Sequence, residues 1–148
     1  MNILITGATK GIGRAIAEKF AANGANLAVC ARTERDVMKL KESLSKKFSV
    51  KVVAAACDMA DKKQVKAFAA TVKKSWKQLD VLVNNAGVFM PGNVTDKMEA
   101  GMEELMAVNF YSAYFLTREV LSLMLPHHTG HIFNMCSVAS VKGYPQGG

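Results

Sequence analysis

Residues 1–20, MNILITGATKGIGRAIAEKF, decide how this 148-residue chain folds. Ile3, Leu4 and Ile5 form a short apolar run that ends at Thr6-Gly7, after which Ile12, Ile16, Ala17 and Phe20 recur at helical spacing. Between strand and helix stand Gly7, Gly11 and Gly13. Glycine weakens a helix and adds nothing to a core, so this density marks a backbone that turns sharply and lies close to something. In Thr6-Gly7-Ala8-Thr9-Lys10-Gly11-Ile12-Gly13 the bend falls where a nucleotide-binding α/β fold turns backbone N–H groups and a helix N-terminus toward a pyrophosphate. The GxxxGxG spacing differs from GxGxxG, and no Gly-Lys-Ser/Thr is present, which disfavours a P-loop kinase or ATPase.

The same alternation continues outward. Asn23-Gly24 stops the first helix, and NLAVCA at 26–31 reads as a second strand. Thr33-Glu34-Arg35-Asp36 looks like a capped helix start, with Val37, Leu40 and Leu44 on one face. VKVVAAAC at 50–57 is a third strand, followed by a helix from Asp61, where Gln64 completes a capping-box spacing, through Val65, Phe68, Val72 and Trp76. LDVLVNNAG at 79–87 gives strand four, one long helix is expected over 98–124, and GHIFNMCS at 130–137 gives strand five. Strands that are apolar throughout, each followed by a helix, indicate a parallel sheet covered on both faces. The expected fold is therefore α/β, a Rossmann-like doubly wound sheet in one domain over residues 1–148.

Composition narrows the function classes. Half of the residues are hydrophobic and 21% are charged, which suits a globular protein with a real core. The formal charge of +7 favours anionic ligands in a general way. Lys39, Lys41, Lys46, Lys47, Lys62, Lys63, Lys66, Lys73, Lys74 and Lys77 mostly fall on helix faces with few aromatics between them, so they read as solvated surface and not as a nucleic-acid stripe. Cys30, Cys57 and Cys136 are odd in number and contain no CxxC pair, which argues against a disulfide framework or zinc ribbon and for a reducing cytoplasm. No stretch approaches the roughly 18 consecutive apolar residues of a membrane span, and no basic segment precedes the first apolar run, so neither membrane span nor signal peptide is expected. His127, His128 and His131 flank a Pro-Gly loop without carboxylate or cysteine at ligand spacing. They are expected on the edge of the sheet away from the glycines, with no metal.

TGxxxGxG at Thr6–Gly13, NNAG at Asn84–Gly87, Asp58 after strand three, Asn109 in VNF and Ser137 after strand five occur in an order that resembles the short-chain dehydrogenase/reductase family. The resemblance covers the whole chain. It implies a Rossmann fold that binds a nicotinamide dinucleotide and interconverts a small-molecule carbonyl and alcohol. The end of strand two chooses between coenzymes, because a carboxylate there would bond the ribose hydroxyls of NAD whereas an arginine accommodates the 2′-phosphate of NADP. Ala31-Arg32 occupies the spot, and Lys10 resembles the second basic position of NADP-preferring members, so NADP(H) is expected; Glu34 counts against it.

By the same resemblance the Gly7–Gly13 segment, with Thr9, Gly11 and Ile12, holds the pyrophosphate. Asp58 accepts from the adenine amino group, and Asn85, Ala86 and Gly87 border the ribose and nicotinamide side, while Asn84 is mainly structural. Met102, Leu105, Asn109, Ala113 and Leu116 are spaced 3, 4, 4 and 3, which puts the Asn109 amide on the apolar face, where a buried amide needs partners. In family terms Asn109 would hold a water of a proton relay and Ser137 would polarise the substrate carbonyl. Met98, Met102 and Met106 read as core or subunit contact, and the long helix is expected to carry a homo-oligomer interface.

One part is missing. Hydride reduction needs an acid for the new alkoxide, and a tyrosine, with its pKa of about 10, serves only if a cation lowers that value. The family uses YxxxK, but Tyr144 is followed four residues later by Gly148 and lies too close to Ser137. The expectation is that the tyrosine and lysine lie outside this sequence, that these residues are the N-terminal part of a longer enzyme, inactive alone, and that the sheet lies open beside strand five. The alternative is a non-catalytic dinucleotide-binding module. The substrate is not legible, because the segment that would shape its pocket follows Ser137.

Overall fold

The computed structural model describes residues 1–92, 95 and 99–142. Tyr144 and Met98 lie outside the described residues. Five strands, β1 (Asn2–Thr6), β2 (Asn26–Ala31), β3 (Val52–Ala56), β4 (Val81–Asn84) and β5 (His131–Asn134), form one parallel sheet in the order β3-β2-β1-β4-β5. The order reverses direction at β1/β4, where doubly wound sheets open a crevice at the carboxyl ends of their strands.

The uniformly apolar strands are explained by their two buried faces. In β1, Ile3 and Ile5 point with Leu27, Val29 and Val83 toward α1 (Gly11–Ala22) and α2 (Glu34–Phe48). Leu4, between them, points with Ala28 and Leu82 toward α3 (Lys62–Ser75) and the later helices. On α2 the buried residues are Val37, Leu40 and Leu44, and on α3 Val65, Phe68, Ala69 and Val72, as the helical spacing predicts. Each fully buried Leu, Ile, Val or Phe contributes about 1.5–3 kcal/mol. All four β5 residues are exposed.

Three local expectations are corrected. The buried stripe of α1 is Gly13, Ala17 and Ala21, while Ile12 is 63% exposed. The glycine bend draws α1 close to the sheet, so small side chains make the innermost stripe while the expected Ile16 and Phe20 pack partly buried beside it. Thr33 does precede α2, but its side chain makes no capping bond; on α3, by contrast, Asp61 accepts from the N–H groups of Lys63 and Gln64. Gln64 turns one amide atom to Asp61 (3.0 Å) and lets the other accept from the Asp58 N–H (2.9 Å), which ties the end of β3 to the helix start.

The third correction concerns the long helix. It is interrupted: α4 (Glu99–Met106) passes into a wide π turn (Ala107–Tyr111), then α5 (Ser112–Val120) and two 3₁₀ turns (Leu121–Leu123, Leu125–His127). Ser112 explains the widening. Its N–H reaches back to the Ala107 carbonyl, and its hydroxyl donates to the Val108 carbonyl at 2.6 Å, replacing the bond an ordinary helix would make there. The extra residue in the turn shifts the buried stripe to Val108, Ser112, Leu116 and Val120, and Asn109 leaves the apolar face.

Candidate nucleotide site

The carboxyl ends of β1 and β4 are locked together by side chains. The Thr6 hydroxyl accepts from the backbone N–H groups of Asn85 and Ala86 at 3.0 and 2.9 Å. In return the Asn85 amide donates to the carbonyls of Thr6 and Gly7 at 2.9 and 3.2 Å. Against this lock sits Gly13, where a Cβ would overlap both the Asn85 amide and the Gly7 carbonyl. The glycine is there for close approach.

The bend ahead of α1 has Gly7 and Gly11 in the left-handed region, at φ +64° and +54°. Its capping residue Lys10 accepts no bond with its side chain, and the first turn contains no acidic residue. The leading N–H groups of α1 are thus left for an anion, and the positive end of the helix dipole favours one. The starts of α2 and α3 differ, since Glu34 and Asp36 stand in the first turn of one and Asp61 caps the other.

A cavity of about 200 Å³ opens over these strand ends. Of the residues singled out in the sequence, Gly7, Thr9, Lys10, Ala31, Arg32, Asp58, Ala86 and Gly87 line it. Gly11, Ile12, Gly13 and Asn85 do not; they shape or brace the bend. Asp58 closes one wall, with one carboxylate oxygen accepting from the Ala60 N–H at 3.0 Å. Arg32 and Lys10 are exposed and belong to no ion pair among the described residues.

Sequence reasoning missed Thr33, Asp36, Cys57, Met59, Val88 and Val108, which complete the lining. The residues flanking the ends of β2 and β3 could have been inferred from strand position. Asp36 could not, because it lies in the first turn of α2, where its neighbours Glu34 and Arg35 are exposed. A second cavity, lined by Thr9, Lys10, Arg14, Asp36, Lys39, Leu40 and Ser43, adjoins the first.

Asn109 and Ser137 are not among the residues that line the cavity. The Asn109 amide pairs with both backbone groups of Val88, accepting from its N–H at 2.8 Å and donating to its carbonyl at 2.9 Å, and so braces the loop after β4. Ser137 is exposed past β5 and accepts from the Ala139 N–H at 3.1 Å. Asn84 ties β4 to β5 and α5 by donating to Asn134 (2.9 Å) and Thr117 (3.2 Å). His131 opens β5 at the end of the sheet opposite the cavity, and the His127 ring reaches the Lys77 carbonyl at 3.4 Å. Among the described residues no helix is long and apolar enough to cross a membrane.

A strand-order switch, an anion-ready helix start and a glycine bend braced by an Asn-Asn-Ala-Gly loop define a dinucleotide-binding Rossmann fold. The short chain dehydrogenase family model matches residues 1–148, and the chain belongs to that family. An NADP-dependent 3-hydroxy acid dehydrogenase of Salmonella typhi, YdfG, is 31% identical over 99% of this chain and 58% of its own length. A metagenomic short-chain oxidoreductase solved in complex with NADP superposes with a TM-score of 0.91 at 32% identity, over 99% of this chain and 66% of that one. L-sorbose reductase from Gluconobacter frateurii, solved with NADPH and L-sorbose, gives 0.92 at 31% identity, over 97% and 56%. The chain spans about half the length of the curated relatives it matches, from 41% to 61% of each.

Proposed function

We propose that this chain binds NADP(H) and belongs to an oxidoreductase that interconverts a carbonyl and an alcohol on a small molecule. The observation that carries the reading is the cavity wall that joins the uncapped start of α1 to Lys10 and Arg32. The residues present fit a phosphorylated dinucleotide: bare amides at one bend for the pyrophosphate, a guanidinium and an ammonium for a 2′-phosphate, and small Ala86 and Gly87 beside a flat ring. When bound, such a coenzyme supplies or accepts the hydride. The NADP-bound relatives support the choice of coenzyme.

The protein's own groups have separable tasks. Gly7 through Gly13 orient the pyrophosphate, Lys10 and Arg32 select the phosphate, and Asp58 borders the adenine. Asn85 fixes the bend, and Asn109 holds the Val88 loop. Ser137, at the carboxyl end of β5, is the candidate to polarise the carbonyl. No Tyr-x-x-x-Lys spacing occurs in these 148 residues, so on this reading they do not supply the family's proton donor and are inactive alone. The second reading is a non-catalytic dinucleotide-binding module. The three free cysteines suit a reducing cytoplasm, and the exposed Met102, Met106, Phe110, Tyr111 and Tyr114 suit a homo-oligomer contact along α4 and α5.

Calorimetric titration with NADPH and with NADH tests the reading. Tighter binding of NADPH is expected, reduced about tenfold or more in Arg32→Ala and Lys10→Ala, because each charge-assisted hydrogen bond contributes about 1.5–3 kcal/mol. No heat with either nucleotide would overturn it. NADPH binding without carbonyl reduction by protein that includes the family's tyrosine and lysine would select the module.

A further inference from the structure

One wall of the cavity is backed by sulfur. Cys30, the next-to-last residue of β2, and Cys57, just past β3, lie on neighbouring strands, where the register Cys30↔Ala55 sets Cys57 two residues further along. Met59 folds back between them, its Sδ 3.8 Å from the Cys30 Sγ and 3.7 Å from the Cys57 Sγ. Both cysteines are fully buried and Met59 is 5% exposed. Neither cysteine is in a disulfide.

The two sulfur–sulfur spacings fit a ligand set. Metal–thiolate bonds of about 2.3 Å place the three donors of a trigonal site about 4 Å apart, within a few tenths of an ångström of the two distances observed. Thiolate and thioether together are soft donors, which select univalent copper over magnesium or calcium. Zinc is disfavoured because its structural sites are tetrahedral and no fourth His, Cys, Asp or Glu ligand joins the cluster among the described residues. We propose that Cys30, Cys57 and Met59 form a three-sulfur binding site for a soft univalent cation of the Cu(I) class, loaded through the nucleotide cavity and closed off when a nucleotide fills it.

Access follows from the lining. Cys57 and Met59 face the cavity together with Ala31 and Asp58, and strands and α3 cover the other sides. On ligation each cysteine gives its S–H proton to water, copper exchanges the acetonitrile ligands it arrives with for two thiolate sulfurs and the Met59 thioether, and it remains univalent, so no electrons are transferred.

The test is an anaerobic titration of the full chain, in a Cys136→Ser background that removes the exposed thiol, with Cu(I) added as its acetonitrile complex. One equivalent is expected to raise a near-ultraviolet thiolate-to-copper absorption. Cys57→Ala and Cys30→Ala should abolish it, with folding checked by circular dichroism. Met59→Leu, which conserves volume, should weaken binding at least tenfold against a competing chelator. Saturating NADPH, its own binding read by its fluorescence, should slow uptake at least tenfold. An absent band in the Cys136→Ser protein, an unchanged band in Cys57→Ala, or unaltered affinity in Met59→Leu would overturn the site. Uptake indifferent to bound NADPH would overturn the route. Should NADPH itself fail to bind, the coenzyme reading fails while the copper titration still decides the site.

Discussion

Replacing Gly13 by alanine probes the closest contact in the site. Ordinarily this change favours a helix, by about 0.5–1 kcal/mol. At Gly13 the new methyl has nowhere to go, because it meets the Asn85 amide on one side and the Gly7 carbonyl on the other. Forcing a methyl into a packed site costs about 1–3 kcal/mol. If the Asn85 side chain moves aside instead, its bonds to the Thr6 and Gly7 carbonyls are lost, at about 0.5–1.5 kcal/mol each. After the helix gain is subtracted, the net loss is about 1–2 kcal/mol. For a protein of this size that lowers the melting temperature by about 2–8 °C. Thermal unfolding followed by circular dichroism measures it, with Gly11→Ala as the control. Gly11 has nothing within 4 Å of its would-be Cβ, and only its positive φ opposes the change, so about 1 kcal/mol is expected. A Gly13→Ala protein that melts at or above the parent temperature would refute the reasoning, since α1 could not then be seated against Asn85.

Other outcomes follow from single side chains. Asp36 faces both cavities beside Lys10 and is in no ion pair among the described residues. Asp36→Asn should tighten NADPH binding about three- to tenfold by removing a like charge, and leave NADH nearly unchanged, as titration with both will show. Asn109→Leu deletes both bonds to the Val88 backbone; the Val88 amide should lose hydrogen-exchange protection and the protein about 1–2 kcal/mol of stability. Hydrogen bonds from the Lys63 N–H, then the Gln64 side chain, hold the Asp61 carboxyl below its ordinary value. Its contribution to stability is fully present above about pH 3.9, the unfolded value, and is lost as pH falls through the lower folded one. Asp61→Asn should flatten this acid limb in unfolding curves recorded between about pH 2 and 5.

The legible parts of the molecule were those with a local pattern. Val37, Leu40 and Leu44 mark the buried face of α2 by spacing alone, and NLAVCA reads as a strand with the boundaries the structure gives it. Periodicity failed where a partner overrode it. Ile12 fits a helical apolar face, yet Gly13 must lie inward to meet Asn85, and Ile12 turns outward. Asn109 fits an apolar face too, until the π turn that Ser112 stabilises adds a residue and rotates it toward Val88.

By itself the sequence determined the alternation of strand and helix, the glycine bend ahead of an acid-free helix start, and the paired cations Lys10 and Arg32. Each is a property of neighbouring residues. Tertiary structure alone decided that Asn85 braces the bend, that Asp36 turns toward the cavity, and that Cys30 meets Met59 behind its wall. The Asn85 and Cys30 contacts join residues 79 and 29 positions apart, through a parallel strand register that each strand sets only against its neighbours.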